Sequence, residues 1–582
     1  MTTKQKFLFF GIILVAIFFR FYQIGTLPGG LFPDEAANGL DINLMQTGQL
    51  QPFYERGNGR EGLFFYMLWG SVEAFGKGPW QHHIVSALVG VLSVIFCFLA
   101  TRRLFLVNPE AIDESFKTRA THIALLAAFL MAASTWHIVL SRTAFRANLI
   151  PLFSTMTFYF LLCAYQAATL KKQLFYAFFT GAAFALGFYT YIAFRIMVPI
   201  LAVLTFWPLL AIGFTDGIKR YWKQFCILIF AFCIFVWPLA KYFYTHPGSF
   251  VGRSGQVSVF NPELNQGNLP GAIWEVFKQS MLGFFTHGDL NWRHNISGLP
   301  LLSPLISIFF GLGLVAVTFL GLRYIFSPRK KAHYWKYSLL AVWFWGMLLP
   351  VITTAEGIPH GLRSIGAIPV VFIISALGLY YFGVLAIWFH NRAHPKQFKE
   401  TGGDWQQLLI DKMHVRKTEI SEQVETFRSR VVIGFFKLTV VCFTVAIFLQ
   451  TYFLYFVYAA NSPENYYAFR SDLTPVSKYL VQRCQKDSTY LILDKFSVQT
   501  TDYLTSDWHG NFNSPCNVPY KQVDPESAWE LKDLKKDEQI VFTQSSIFDI
   551  KKFKEYYPEA YLSLEYRNKF NQAVMAVYKV SN

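Results

Sequence analysis

An adjacent acid pair sits in a turn-rich stretch, Leu27-Pro28-Gly29-Gly30-Leu31-Phe32-Pro33-Asp34-Glu35-Ala36-Ala37-Asn38-Gly39. A carboxylate placed there can take a proton from a hydroxyl, the task of a general base. Pro33 pushes Phe32 toward extended backbone and suits the first position of a helix, which puts Asp34 and Glu35 in its first turn. Acids are also favoured at a helix start by the helix dipole, with no chemistry required, so the residues alone leave both readings open. A second charged pair follows in Gly57-Asn58-Gly59-Arg60-Glu61-Gly62, either presented by a tight backbone or paired at a surface.

Three short segments carry arginine: Ser141-Arg142-Thr143-Ala144-Phe145-Arg146, Tyr191-Ile192-Ala193-Phe194-Arg195 and Pro359-His360-Gly361-Leu362-Arg363. The planar, permanently charged guanidinium binds phosphate well, although an arginine at a membrane border also snorkels to lipid headgroups. The run Thr286-His287-Gly288-Asp289-Leu290-Asn291-Trp292-Arg293-His294-Asn295 combines imidazole, carboxylate and guanidinium. His287, Asp289 and His294 suit a divalent metal by ligand type, but their spacing matches no dedicated metal motif; hydrogen bonding to loop or ligand is the other reading.

The elements that must hold these residues are set by composition. Hydrophobic residues make up 53% of the 582, aromatics 18% and charged residues 15%, against roughly 45–50% apolar and about 25% charged in soluble domains. The apolar excess falls in blocks near 7–22, 84–101, 121–139, 150–170, 174–192, 196–214, 225–244, 301–322, 337–355, 364–389 and 431–458. Each is long enough to cross a bilayer as helix, so about 11 transmembrane helices are expected. The first block ends in Arg20-Phe21-Tyr22 with no small-residue cleavage site, and reads as a retained helix.

The formal charge of +16 is a matter of topology. With the N-terminus cytoplasmic, that side holds Lys4, Lys6, Arg102, Arg103, Lys117, Arg119, Lys171, Lys172, Lys219, Arg220, Lys223 and the basic segment 391–430. The positive-inside rule therefore puts the loops near 23–83 and 245–300, and everything after 459, outside the cytoplasm. No nucleic-acid partner is implied. Residues 459–582 read as a small α/β domain, with strands at Thr489–Leu493, Gln539–Phe542 and Ala573–Val580 and helices at Leu473–Arg483 and Ile550–Tyr557. Cys484 and Cys516 fall in this domain and could pair in an oxidising compartment.

Taken in order, Arg20-Phe21-Tyr22, Asp34-Glu35-Ala36, Gly59-Arg60-Glu61, Ser141-Arg142 with Phe145-Arg146, Tyr189-Thr190-Tyr191 with Arg195, Gly288-Asp289 through Asn295, and His360-Gly361-Leu362-Arg363 form a recognisable series. The chain resembles the polytopic glycosyltransferases of family 39, which include the protein mannosyltransferases and bacterial relatives. The resemblance implies a GT-C-like membrane domain over residues 1–458, in a bacterial inner or plasma membrane. It implies an inverting glycosyltransferase that uses a polyprenyl-phosphate-linked sugar and a lipid, protein or glycan acceptor. Asp34 would be the base, assisted by Glu35 and Glu61. Arg60, Arg142, Arg146, Arg195 and Arg363 would contact the donor phosphate. Glu61 would position the base or join His287 at a divalent metal, with Asp289, Arg293 and His294 as further metal or ligand contacts. A transporter of lipid-linked sugars is the alternative; it calls for ionisable residues at mid-membrane and an internal repeat, neither of which stands out.

Overall fold

A backbone that crosses lipid must satisfy its own polar groups, and helices do so within one segment. The computed structural model follows that logic and describes residues 1–57, 59–106, 114–251, 258–326, 334–392, 427–482, 489–506, 519–531, 534 and 538–580. Cys484, Cys516 and most of the basic segment 391–430 lie outside the described residues.

The chain opens with α1 (Thr3–Phe21) and α2 (Pro33–Gln46), then a two-residue hairpin of β1 (Phe53–Tyr54) and β2 (Arg60–Glu61), and α3 (Leu63–Phe75). The bundle continues with α4 (Pro79–Leu106), α5 (Glu114–Ala132), α6 (Thr135–Ser141), α7 (Leu149–Gln166), α8 (Leu170–Gly187), α9 (Met197–Ile212) and α10 (Phe214–Thr245). After α11 (Leu269–Leu282) come α12 (Pro304–Phe326), α13 (Trp335–Ile352), α14 (Ile368–Arg392) and α15 (Phe427–Tyr452). All eleven apolar blocks of the sequence fall on helix. Seven helices among the described residues are long and apolar enough to cross a membrane, and the pair α5–α6, bent by 61°, makes an eighth. Of the other three blocks, α1 carries Lys4, Lys6 and Arg20, α8 carries Lys171 and Lys172, and α9 is short.

Two buried arginines explain how the bundle closes near residue 140. The break between α5 and α6 leaves the last carbonyls of α5 without helical partners. Arg20, fully buried at the end of α1, donates to the carbonyls of Ala132 at 3.1 Å and Ala16 at 3.2 Å, and to His137 Nδ1 at 2.7 Å. Arg142, at the end of α6, does the converse: it donates to Phe19 O at 3.0 Å and Leu27 O at 2.5 Å. Its guanidinium also lies over the Tyr455 and Phe456 rings, 5.2 and 5.4 Å from their centroids. Breaking such buried charge-assisted bonds leaves both charge and carbonyl unsatisfied, which costs several kcal/mol.

Beyond the last span the chain forms a five-stranded sheet in the order β4-β3-β5-β7-β6. The strands are β3 (Thr489–Ile492), β4 (Lys521–Val523), β5 (Gln539–Thr543), β6 (Tyr561–Arg567) and β7 (Ala573–Lys579), with helices α16 (Leu473–Gln482), α17 (Val498–Thr505) and α18 (Ile550–Tyr556). Pairings β3–β4 and β3–β5 are parallel, whereas β5–β7 and β6–β7 are antiparallel. Alternation along the central strands divides the core: Ile492, Ile540, Phe542, Ala576 and Tyr578 pack on one face, and Leu491, Leu493, Val541, Met575 and Val577 on the other. Strands β4 and β6 and helix α17 are additions to what the sequence indicated.

The small domain docks on α2. Tyr503 of α17 packs with Leu31 and Ala36, so closely that a Cβ at Gly39 would meet its ring at 2.4 Å. Thr500 Oγ1 donates to Leu31 O at 3.0 Å, Asn43 Nδ2 to Ser506 Oγ at 3.0 Å, and Lys77 Nζ to Ser506 Oγ at 2.9 Å.

Candidate active site

Helix α2 begins as the sequence predicts, with Pro33 at its first position and Asp34 and Glu35 in its first turn. The two acids then part company. Glu35 folds back so that Oε2 accepts the Phe32 N–H at 3.0 Å, which caps the helix. Its other oxygen accepts the Ala144 N–H at 2.5 Å and lies 3.5 Å from His83 Nε2. Burial alone would raise the Glu35 carboxyl, but the His83 contact and the two backbone donors outweigh it and hold the group below its ordinary range. Glu35 is a staple between α2 and the 141–148 turn. Asp34 points the other way, with its side chain 62% exposed and Oδ2 3.8 Å from Arg293 Nη1.

Arg293 stacks its guanidinium 3.4 Å from the Phe32 ring centroid, and Phe145 lies 6.0 Å away on the same cation. At 13% exposure its fork is sheltered without being closed off. Sequence reasoning placed Arg293 among metal or ligand contacts; the fold brings it to the carboxylate of Asp34.

The β1–β2 hairpin delivers Arg60 and Glu61 side by side. Its turn takes Gly57 and Gly59 through φ of 62° and 90°, and a Cβ on Gly59 would collide with the Phe53 ring at 2.5 Å. Arg60 is spent within the protein: it donates to Asn38 Oδ1 at 2.6 Å, Asp41 Oδ2 at 2.5 Å and Arg56 O at 3.0 Å. Glu61 is buried and accepts from Arg146 Nε at 3.1 Å. Arg146 lies over the Tyr191 ring at 5.3 Å with its side chain 21% exposed. Arg195 donates to Phe250 O at 2.8 Å, and Arg363 to Glu356 O at 2.5 Å with the Glu356 carboxylate 3.4 Å away. Arg142, as described, holds the carbonyls of Phe19 and Leu27. The arginines thus divide into Arg60 and Arg142, whose forks are consumed by buried partners, Arg363, held by Glu356, and Arg146, Arg195 and Arg293, which are only half-buried.

A third cluster joins two loops. Asp289 Oδ2 lies 2.8 Å from His294 Nδ1 and 3.7 Å from His360 Nδ1, and the two imidazoles stack with centroids 4.6 Å apart. Asp289 Oδ2 also accepts the Gly361 N–H at 2.8 Å, and its Oδ1 accepts the Asn291 N–H at 2.8 Å. Burial works to raise the Asp289 carboxyl, yet His294 and His360 bring it below the usual carboxylate range. Burial lowers His294, against the pull of Asp289. One ligand atom from each of Asp289, His294 and His360 falls within 4.8 Å of the others. Imidazole and carboxylate are the donor types of a small divalent cation, and their closeness makes these three the residues that could hold one; here the 2.8 Å contact is a hydrogen bond between His294 and Asp289. His287 stands apart: its Nε2 pairs with Gln279 Oε1 at 2.8 Å and its Nδ1 with Thr286 at 2.9 Å. Glu61 is held by Arg146, so it and His287 do not share a site. His360 was visible in the sequence only as a neighbour of Arg363; its role emerges from the pairing of two loops far apart in the chain.

Together α2, the 141–148 turn, the 288–295 loop and the 360–363 segment gather an exposed carboxylate, several guanidinium groups and an Asp–His–His cluster at one end of the bundle. The structure of ArnT from Cupriavidus metallidurans bound to undecaprenyl phosphate superposes with a TM-score of 0.50, at 12% identity, covering 99% of this chain and 98% of that one. The chain has the GT-C fold. Other similar structures are the Archaeoglobus fulgidus oligosaccharyltransferase AglB in complex with an inhibitory peptide and a dolichol-phosphate, and the S. cerevisiae Pmt1-Pmt2 protein O-mannosyltransferase complex. AglB has a TM-score of 0.49 at 12% identity, over 99% of this chain and 74% of that one. Pmt1-Pmt2 has 0.32 at 19% identity, over 46% and 37%. No protein-family model and no curated protein matches the sequence.

Proposed function

We propose that the protein is a membrane glycosyltransferase that moves a sugar from a polyprenyl-phosphate-linked donor to an acceptor hydroxyl on the extracytoplasmic face, with inversion. The observation that carries this reading is the exposed Asp34 carboxylate beside the sheltered Arg293, at the end of a GT-C bundle. Asp34 takes the proton of the acceptor hydroxyl as its oxygen bonds to the anomeric carbon. The bond from that carbon to the phosphate oxygen breaks on the opposite face, and the lipid phosphate leaves with the electron pair. Fixed cations that meet the charge growing on the leaving group lower the barrier. Arg293, Arg146, Arg195 and Arg363 supply them, while Arg60 and Arg142 hold α2 and α1 in place.

Asp289, His294 and His360 would hold a divalent cation, which would add positive charge at the phosphate end of the site. The test is transfer of labelled sugar from synthetic polyprenyl-phosphate donors by the purified protein in detergent, with and without EDTA. General base assistance contributes about a hundred- to ten-thousandfold, so Asp34→Asn should lose turnover on that scale while the protein stays folded. Unchanged turnover removes Asp34 from the mechanism, a product with retained configuration rejects inversion, and EDTA-insensitive transfer dispenses with the metal.

A further inference from the structure

Phe496 belongs to the small domain, yet it stands at the edge of the site. It lies in the turn Asp494-Lys495-Phe496-Ser497 between β3 and α17. Asp494 Oδ1 closes that turn by accepting the N–H groups of Phe496 at 3.1 Å and Ser497 at 2.8 Å. Arg470 braces it by donating to Ser497 Oγ, with the Asp494 carboxylate 4.0 Å away. Two anchors seat the turn against the loop before α2. One is the Thr500 bond to Leu31 O. The other is the approach of Gly30 to the 469–471 backbone, where a Cβ would stand 2.2 Å from Phe469 O.

The result is a ring fixed in position and still half open. Phe496 meets Phe32 edge-on, with centroids 5.7 Å apart and an interplanar angle of 64°, and remains 49% exposed. Phe32 is the ring on which Arg293 stacks, and it precedes Asp34 by two residues. Asp494 and Lys495 flank the ring, with side chains 44% and 80% exposed.

We infer that Phe496, with Phe32, is an acceptor platform for a saccharide ring beside Asp34. The negative face of an aromatic ring attracts the weakly positive C–H groups on the face of a pyranose. The hydroxyls round the sugar's rim need polar partners, and Asp34, Asp494 and Lys495 provide them. A lipid tail would gain nothing from a lone ring set among charges. The inference rests on the glycosyltransferase reading, in which the acceptor hydroxyl must reach Asp34.

Two readouts on the full chain test it. The first is the acceptor KM in the transfer assay with a panel of glucose, galactose and N-acetylglucosamine disaccharides. Losing one aromatic contact should raise that KM by about three- to tenfold in Phe496→Ala, leave kcat and the donor KM within about twofold, and be reversed in Phe496→Trp. The second is the 19F resonance of 4-fluorophenylalanine incorporated at position 496, titrated with the same disaccharides without donor. A saturable shift supports the platform even if no sugar is transferred, an outcome that would instead sink the glycosyltransferase reading. No shift with any saccharide, or transfer to a saccharide with an unaltered KM in Phe496→Ala, overturns the platform. Transfer to peptide or lipid alone, with no shift from any saccharide, also rejects it, in favour of another acceptor class.

Discussion

Two neighbouring carboxylates, Asp34 and Glu35, have opposite fates because a helix start has one inward and one outward side. Glu35 accepts two backbone N–H groups from different parts of the chain, and replacing it by alanine leaves both donors buried and unmet. Each such loss costs about 1–3 kcal/mol, so Glu35→Ala should be clearly less stable in detergent, with Glu35→Gln, which keeps an acceptor, in between. The pH dependence has a definite sign. The folded carboxyl lies below its unfolded value, so its ionised form stabilises the fold above that unfolded value, near 4.3, and the contribution disappears as pH falls through the folded value. The stability gap between wild type and Glu35→Gln should therefore be flat near neutrality and close in acid. A gap that widens on acidification would mean that Glu35 enters the fold protonated. The sequence could rank Asp34 above Glu35 only through a resemblance. Which acid faces outward depends on the 141–148 turn, distant in sequence, that receives Glu35.

At the level of elements, α2 is the piece on which everything converges: the bundle grips it through Glu35 and Arg60, and the small domain through α17. Gly30 and Gly39 permit that grip, since each lies where a side chain would overlap the small domain. At Gly30 the obstacle is backbone, which cannot swing away as a side chain can. Overpacking at tight contacts costs about 1–3 kcal/mol. Gly30→Ala should therefore loosen the small domain from α2 while the bundle stays intact. Hydrogen exchange should then speed up in residues 31–46 and 498–506, with α7 and α14 unchanged; equal protection in variant and wild type would show that the contact yields at no cost. The apolar blocks were legible because burial in lipid demands long uninterrupted runs, and β3, β5 and β7 because a strand covered on both faces is a short run of mostly apolar residues. Helix α17 was not. Val498–Thr505 is mostly polar, and what holds it is Tyr503 against Gly39 and Thr500 on Leu31, which no local pattern encodes.

For the whole molecule the arginines raise a question of orientation, because the positive-inside rule disfavours basic residues on the outer side. The structure gives each site arginine an occupation in the fold: Arg60 with Asp41, Arg146 with Glu61, Arg293 with Asp34, Arg363 with Glu356, Arg195 with Phe250 O and Arg142 with Phe19 O. The bases Lys4, Lys6, Lys171 and Lys172 lie in the first turns of α1 and α8, while Arg102 and Arg103, in the last turns of α4, bond among the described residues only to the neutral groups of Thr121 and Gln166, so their charges stay unneutralised and can set topology. Because the small domain docks on α2, its side of the membrane is also the side of Asp34. A fusion of alkaline phosphatase after residue 580 should therefore be active, and a green fluorescent protein fusion there dark. The reverse result would undercut more than orientation: with Asp34 facing the cytoplasm, nucleotide sugars would be at hand and a lipid-borne donor would lose its rationale. In the proposed function, topology and donor chemistry stand or fall together, because an enzyme working where nucleotide sugars do not reach must draw its substrate from the membrane it spans.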